Sequence, residues 1–126
     1  MLLRLLCTAA TVAALPIAGL VHAQTQTEMT IQAGTELQQA EDRLAKVYAD
    51  LSRKLLPDNK AMLDSVQQTW RRFREEECAF NTRESVGGSV HRMVVFGCKT
   101  TLTNERIKQL EYQLNCQEGD FSCSRN

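Results

Sequence analysis

The chain has 126 residues, with 15 Lys and Arg against 15 Asp and Glu and no formal net charge. That balance gives nothing to draw in a polyanion, so neither nucleic acid nor an anionic membrane surface is an expected partner. The length suits one small domain.

Residues 1–23, MLLRLLCTAATVAALPIAGLVHA, carry one cation at Arg4, a nearly unbroken apolar run and the ending Val21-His22-Ala23. This is the pattern of a cleaved export signal, with the mature chain starting at Gln24. A membrane anchor is the rival reading. Pro16 and Gly19 interrupt the run, which is also short for a span, and both disfavour it. Cys7 leaves with the segment. The expected product is a periplasmic or secreted domain, residues 24–126, with no membrane attachment after cleavage. A chain of that size buries a modest core and benefits from covalent bracing.

The first helix is expected in TELQQAEDRLAKVYADLSRKLL, where Leu37, Ala40, Leu44, Tyr48, Leu51 and Leu55 recur at steps of three and four. Thr35 with Gln38 has the form of a capping box, and an earlier start near Glu28 is the alternative. Pro57-Asp58 breaks the pattern and opens a second helix with Leu63, Val66, Trp70 and Phe73 on one face. A third helix carries Leu102, Ile107, Leu110 and Leu114. It is expected to run through the apolar stretch after Gly88, with an interruption, if any, at Gly97. No segment alternates as a strand would, so a lone strand would lack a partner. The expected fold is all-α: a small antiparallel three-helix bundle, or four helices with a break near Gly97.

Four cysteines remain in the mature chain, Cys78, Cys98, Cys116 and Cys123, and an even number in a small exported domain reads as two disulfides. Three pairings are possible. On one continuous helix Cys116 and Cys123 would stand about 10 Å apart, beyond the roughly 7 Å a disulfide spans, so Glu118-Gly119-Asp120 must turn if they pair. Cys78 and Cys98 can meet only if the chain reverses between them, and Gly87-Gly88 supplies that freedom. The preferred reading is therefore Cys78 with Cys98 and Cys116 with Cys123. No two cysteines have the short gap of a zinc knuckle, so no metal is expected.

Little in the sequence suggests catalysis. His91 is the single imidazole left after signal removal, and no phosphate-cradling loop or metal-binding His pair is present. No enzyme and no cofactor are expected. Consecutive Glu75, Glu76 and Glu77 point about 100° apart on a helix and read as a solvated face with Arg71 and Arg72 one turn away. Trp70 reads as core. Arg74 reads as a structural tie to Glu77 or to a loop carbonyl. The glycine turn is the best candidate contact surface, with Gly87, Gly88, Ser89, His91 and Arg92 exposed on a segment that a disulfide would stiffen.

The ordered set Gln67, Trp70, Arg74 and Cys78, then Gly87, Gly88 and Ser89, then Cys98, Thr103, Arg106 and Leu110 resembles the lysozyme inhibitor LprI-like N-terminal domain family of exported bacterial proteins. AEDRLAKVYADL upstream belongs to the same likeness, which covers most of the mature chain. Members often carry a further cysteine near the start of the first helix, where this chain has Gln32; the even count of four that results supports the preferred pairing. The resemblance implies a lysozyme or another peptidoglycan hydrolase as partner, and the glycine turn is the surface expected to meet it. The alternative is a cell-envelope protein–protein interaction module that inhibits nothing.

Overall fold

The computed structural model describes residues 25–117 and 119–124. The export signal expected over residues 1–23 lies outside them. Three helices account for nearly all of the rest: α1 (Gln26–Lys54), α2 (Pro57–Asn81) and α3 (His91–Asn115). A single 3-10 turn, Arg83–Ser85, stands between α2 and α3. The bundle runs up, down, up.

Helix α1 starts at its own capping box, ahead of the one expected at Thr35. The Thr25 hydroxyl accepts from the Glu28 amide while the Glu28 carboxylate accepts from the Thr25 amide. Thr35 is already interior, and its hydroxyl donates to the Ile31 carbonyl. Arg53 and Lys54 occupy the last turn, where cations complement the helix dipole. Leu56 then takes the extended conformation that a following proline imposes, and Pro57 opens α2 at a position where its missing N–H costs nothing. Helix α3 passes Gly97 without a break.

The register follows from contacts between helices. Gln26 reaches Met93, the Phe96 ring stands beside Gly34, and Arg43 donates to Asn104, so α1 and α3 run in the same direction with the most extensive packing in the bundle. Helix α2 runs against both, with Cys78 bonded to Cys98, Arg74 opposite Thr103 and Gln67 opposite Arg106. The apolar core is small. Leu44, Leu51, Ile107 and Leu110 form its centre, and Trp70, Tyr48, Leu63 and Leu114 pack around it.

One expectation about α2 fails. Leu63 and Trp70 do face the core, but Val66 and Phe73 are each about half exposed, and the residues buried in this helix are Gln67 and Cys78. The side of α2 that meets α3 sets the polar Gln67 and Arg74 beside Trp70.

Both disulfides join the preferred pairs, with Cα separations of 5.7 Å for Cys78–Cys98 and 5.8 Å for Cys116–Cys123. In the chain-entropy account they stabilise by about 3 and about 2 kcal/mol. The second closes a C-terminal clasp that turns at Gly119, whose φ is +89°. Asp120 binds the clasp internally through the Ser122 amide and hydroxyl and outward to Tyr112. Gln113 holds the Ser122 carbonyl and the Ser124 amide, and Asn59 of α2 donates to the Ser124 carbonyl.

Candidate functional site

The turn between α2 and α3 is built as a ladder of short-range bonds. The Thr82 hydroxyl donates to the Cys78 carbonyl, the Ser85 amide to the Thr82 carbonyl, the Gly88 amide to the Ser85 carbonyl and the His91 amide to the Gly88 carbonyl. Gly87 has φ +84°, a conformation that a side chain disfavours. A Cβ at Gly88 would lie 3.1 Å from the Ser85 carbonyl oxygen. Each glycine thus suits the turn for a different reason, one for its torsion and one for its close approach to a carbonyl.

Ser89 and Arg92 are exposed on this turn, as expected. His91 is not. It is half-buried, with its Nδ1 2.9 Å from the Ser85 hydroxyl. That hydroxyl has one proton, which it places on the Thr82 carbonyl at 2.6 Å, so it accepts from an Nδ1–H of His91. The pair therefore lacks the arrangement of a nucleophile and its base, in which the imidazole would take the serine proton. His91 braces the turn from inside. Arg92 lies over the Phe96 ring at 5.8 Å, which limits how far its guanidinium wanders.

The remaining motif residues meet at the α2–α3 interface. Trp70 is flanked by two guanidinium groups, Arg74 at 5.3 Å and Arg106 at 6.0 Å from its ring centroid. Arg74 bonds Thr103, Glu41 and Glu75, and not Glu77 or a loop carbonyl. Glu75 in turn pairs with Lys99, so it does not belong to a merely solvated face with Arg71 and Arg72. Burial pushes the Glu75 carboxyl up, but bonds and charge from Lys99 and Arg74 outweigh it and hold it below the usual range. A chain of alternating charge, Glu41, Arg74, Glu75 and Lys99, ties all three helices together.

Arg106 donates from Nε to Gln67 Oε1 and from Nη1 to Gln109 Oε1, both at 3.0 Å. Leu110, one turn on, is buried in the apolar core. Gln67, Trp70, Arg74, Thr103 and Arg106 are thus one interface seen from two helices. Sequence reading grouped them by resemblance and missed Glu41 and Lys99, whose contacts span distances that no local pattern encodes.

No group of His, Cys, Asp and Glu among the described residues is arranged to hold a metal ion. No helix among them is long and apolar enough to cross a membrane. The sequence model of the lysozyme inhibitor LprI family matches residues 19–110. No curated protein and no solved structure matches the chain.

Proposed function

Matched over residues 19–110, the chain belongs to the lysozyme inhibitor LprI family, and on that premise we propose that it is an exported periplasmic inhibitor of lysozyme or a related muramidase. The contact is made by the turn at Gly87 and Gly88. Lysozymes cleave with two carboxyl groups set in a cleft, and a loop carrying a hydroxyl and a cation offers both of them a partner without a scissile bond. Ser89 supplies the hydroxyl and Arg92 the cation, while His91 supports the turn through Ser85. The exposure of Ser89 and Arg92 on a turn braced by Cys78–Cys98 is the observation that supports this reading. A turn already held in shape loses less entropy on insertion. The test is lysis of a peptidoglycan suspension by purified lysozyme: the oxidised protein slows it, and full-rate lysis in the presence of excess protein contradicts the reading.

A second reading is a cell-envelope interaction module that binds through a helical face and inhibits nothing. It is favoured by the apolar side chains that α2 leaves outside, Met62, Val66, Phe73 and Phe80, spaced so that they share one side of the helix. Capture from a periplasmic extract separates the two: inhibition requires a muramidase among the retained proteins, and the module requires some other reproducible partner.

A further inference from the structure

At the end of the bundle away from the glycine turn, an open groove of about 640 Å³ is bordered by the end of α1, the first half of α2 and the last half of α3. This is within the size range of small-molecule sites. Its apolar lining is Leu51, Leu55, Met62, Leu63, Val66 and Leu110, and two cations, Arg106 and Lys108, line it as well. Ser124 of the clasp stands among the lining residues, held by Asn59.

One polar member of the lining is out of balance with its surroundings. Arg106 is only 9% exposed, yet every protein group it touches is neutral: the amide oxygens of Gln67 and Gln109 and the face of Trp70. No carboxylate among the described residues pairs with it. Arg74, over the same ring, is by contrast paired with two carboxylates. Of the five N–H groups of Arg106, one on Nη1 and both on Nη2 have no protein acceptor. Burial accordingly lowers its pKa. A guanidinium this far buried without a counter-charge is unfavourable, and its N–H groups without a protein acceptor, which are not sealed from solvent, form the fork that a carboxylate fits.

We propose that this groove binds a long-chain aliphatic carboxylate, with the head group on Arg106 and the chain along the Leu, Met and Val walls. Charge complementarity selects the head and the apolar walls select the tail. The site is independent of the turn proposed to meet a muramidase.

Trp70 is the one tryptophan of the chain and lies against Arg106, so its emission reports on the head-group position. The experiment titrates oxidised protein with dodecanoate below its micellar concentration, alongside dodecanol and acetate. Saturable binding of dodecanoate is expected, with both controls at least about tenfold weaker. Arg106→Gln should cut the preference for acid over alcohol at least about tenfold, and Lys108→Gln much less. Because Arg106 also holds Gln67, Met62→Glu provides a second test from an exposed position: it should weaken dodecanoate at least about tenfold while leaving helicity unchanged. Absence of a saturable response, equal binding of dodecanol, or an unaffected Met62→Glu variant would each overturn the proposal. So would sedimentation showing the groove closed by a second copy that dodecanoate does not displace.

Discussion

Arg74 on α2 donates from Nη1 to the Thr103 hydroxyl on α3 at 3.0 Å, and Thr103 is completely buried. The same guanidinium lies over the Trp70 ring and pairs with Glu41 and Glu75, so it serves all three helices.

Removing either partner should therefore cost stability beyond its own contacts. Thr103→Val leaves an Arg74 N–H without its acceptor and should destabilise by about 1–2 kcal/mol. Arg74→Met, which leaves Glu41 without its cation and Glu75 with Lys99 alone, should destabilise by about 1–2 kcal/mol after discounting for solvent screening. Urea unfolding of both single variants and the double variant measures the coupling, expected near 1 kcal/mol. Strict additivity would show that the two residues do not act together.

Gly87 in the turn and Gly97 within α3 should respond oppositely to alanine. Gly87→Ala forces a side chain into φ +84° and should destabilise by about 1 kcal/mol. Gly97→Ala lies within α3 with open space around the new methyl, and should stabilise by about 0.5–1 kcal/mol through helix propensity. Thermal melts of the two variants against the parent protein distinguish them by sign.

A pH dependence follows from Tyr48 and Asp64, which join α1 to α2. The Tyr48 phenol donates to the Asp64 carboxylate, which also pairs with Lys60 at 3.1 Å. The Tyr48 bond first, then Lys60, holds the Asp64 carboxyl below its ordinary 3.8, and the same carboxylate raises the Tyr48 phenol above 10.0. The Asp64 contribution is full above the unfolded aspartate value and is lost as pH falls through the lower folded value. The Tyr48 contribution is full below the unfolded tyrosine value and is lost as pH rises through the higher folded value. Tyr48→Phe should flatten urea midpoints measured against pH at both ends. Parallel curves for the two proteins would contradict the link.

The elements legible in the sequence were those with local causes. The period of α1, the proline between α1 and α2 and the glycines that let Cys78 meet Cys98 each act within a few residues of where they stand. The inward face of α2 was not legible, because a reading based on apolar spacing assigns Val66 and Phe73 to the core. The face that meets α3 is instead built from Gln67, Trp70 and Arg74, whose polar groups are satisfied by partners far away in the chain. The sequence suggested a capping box at Thr35 with Gln38 or a start near Glu28, and the helix starts at the Thr25–Glu28 box, close to the second of these. His91 was expected outside because it follows an exposed turn, while its bond to Ser85 draws it in.

The central claim is that a disulfide-braced turn presents Ser89 and Arg92 to a muramidase. Its most direct test is the inhibition constant against several lysozyme types, measured for the oxidised protein and for the Ser89→Ala, Arg92→Ala double variant with an unchanged melting temperature. The account predicts inhibition by the parent protein and at least about tenfold weaker inhibition by the variant. Equal inhibition by both, or unslowed lysis at micromolar excess of the parent, would contradict it.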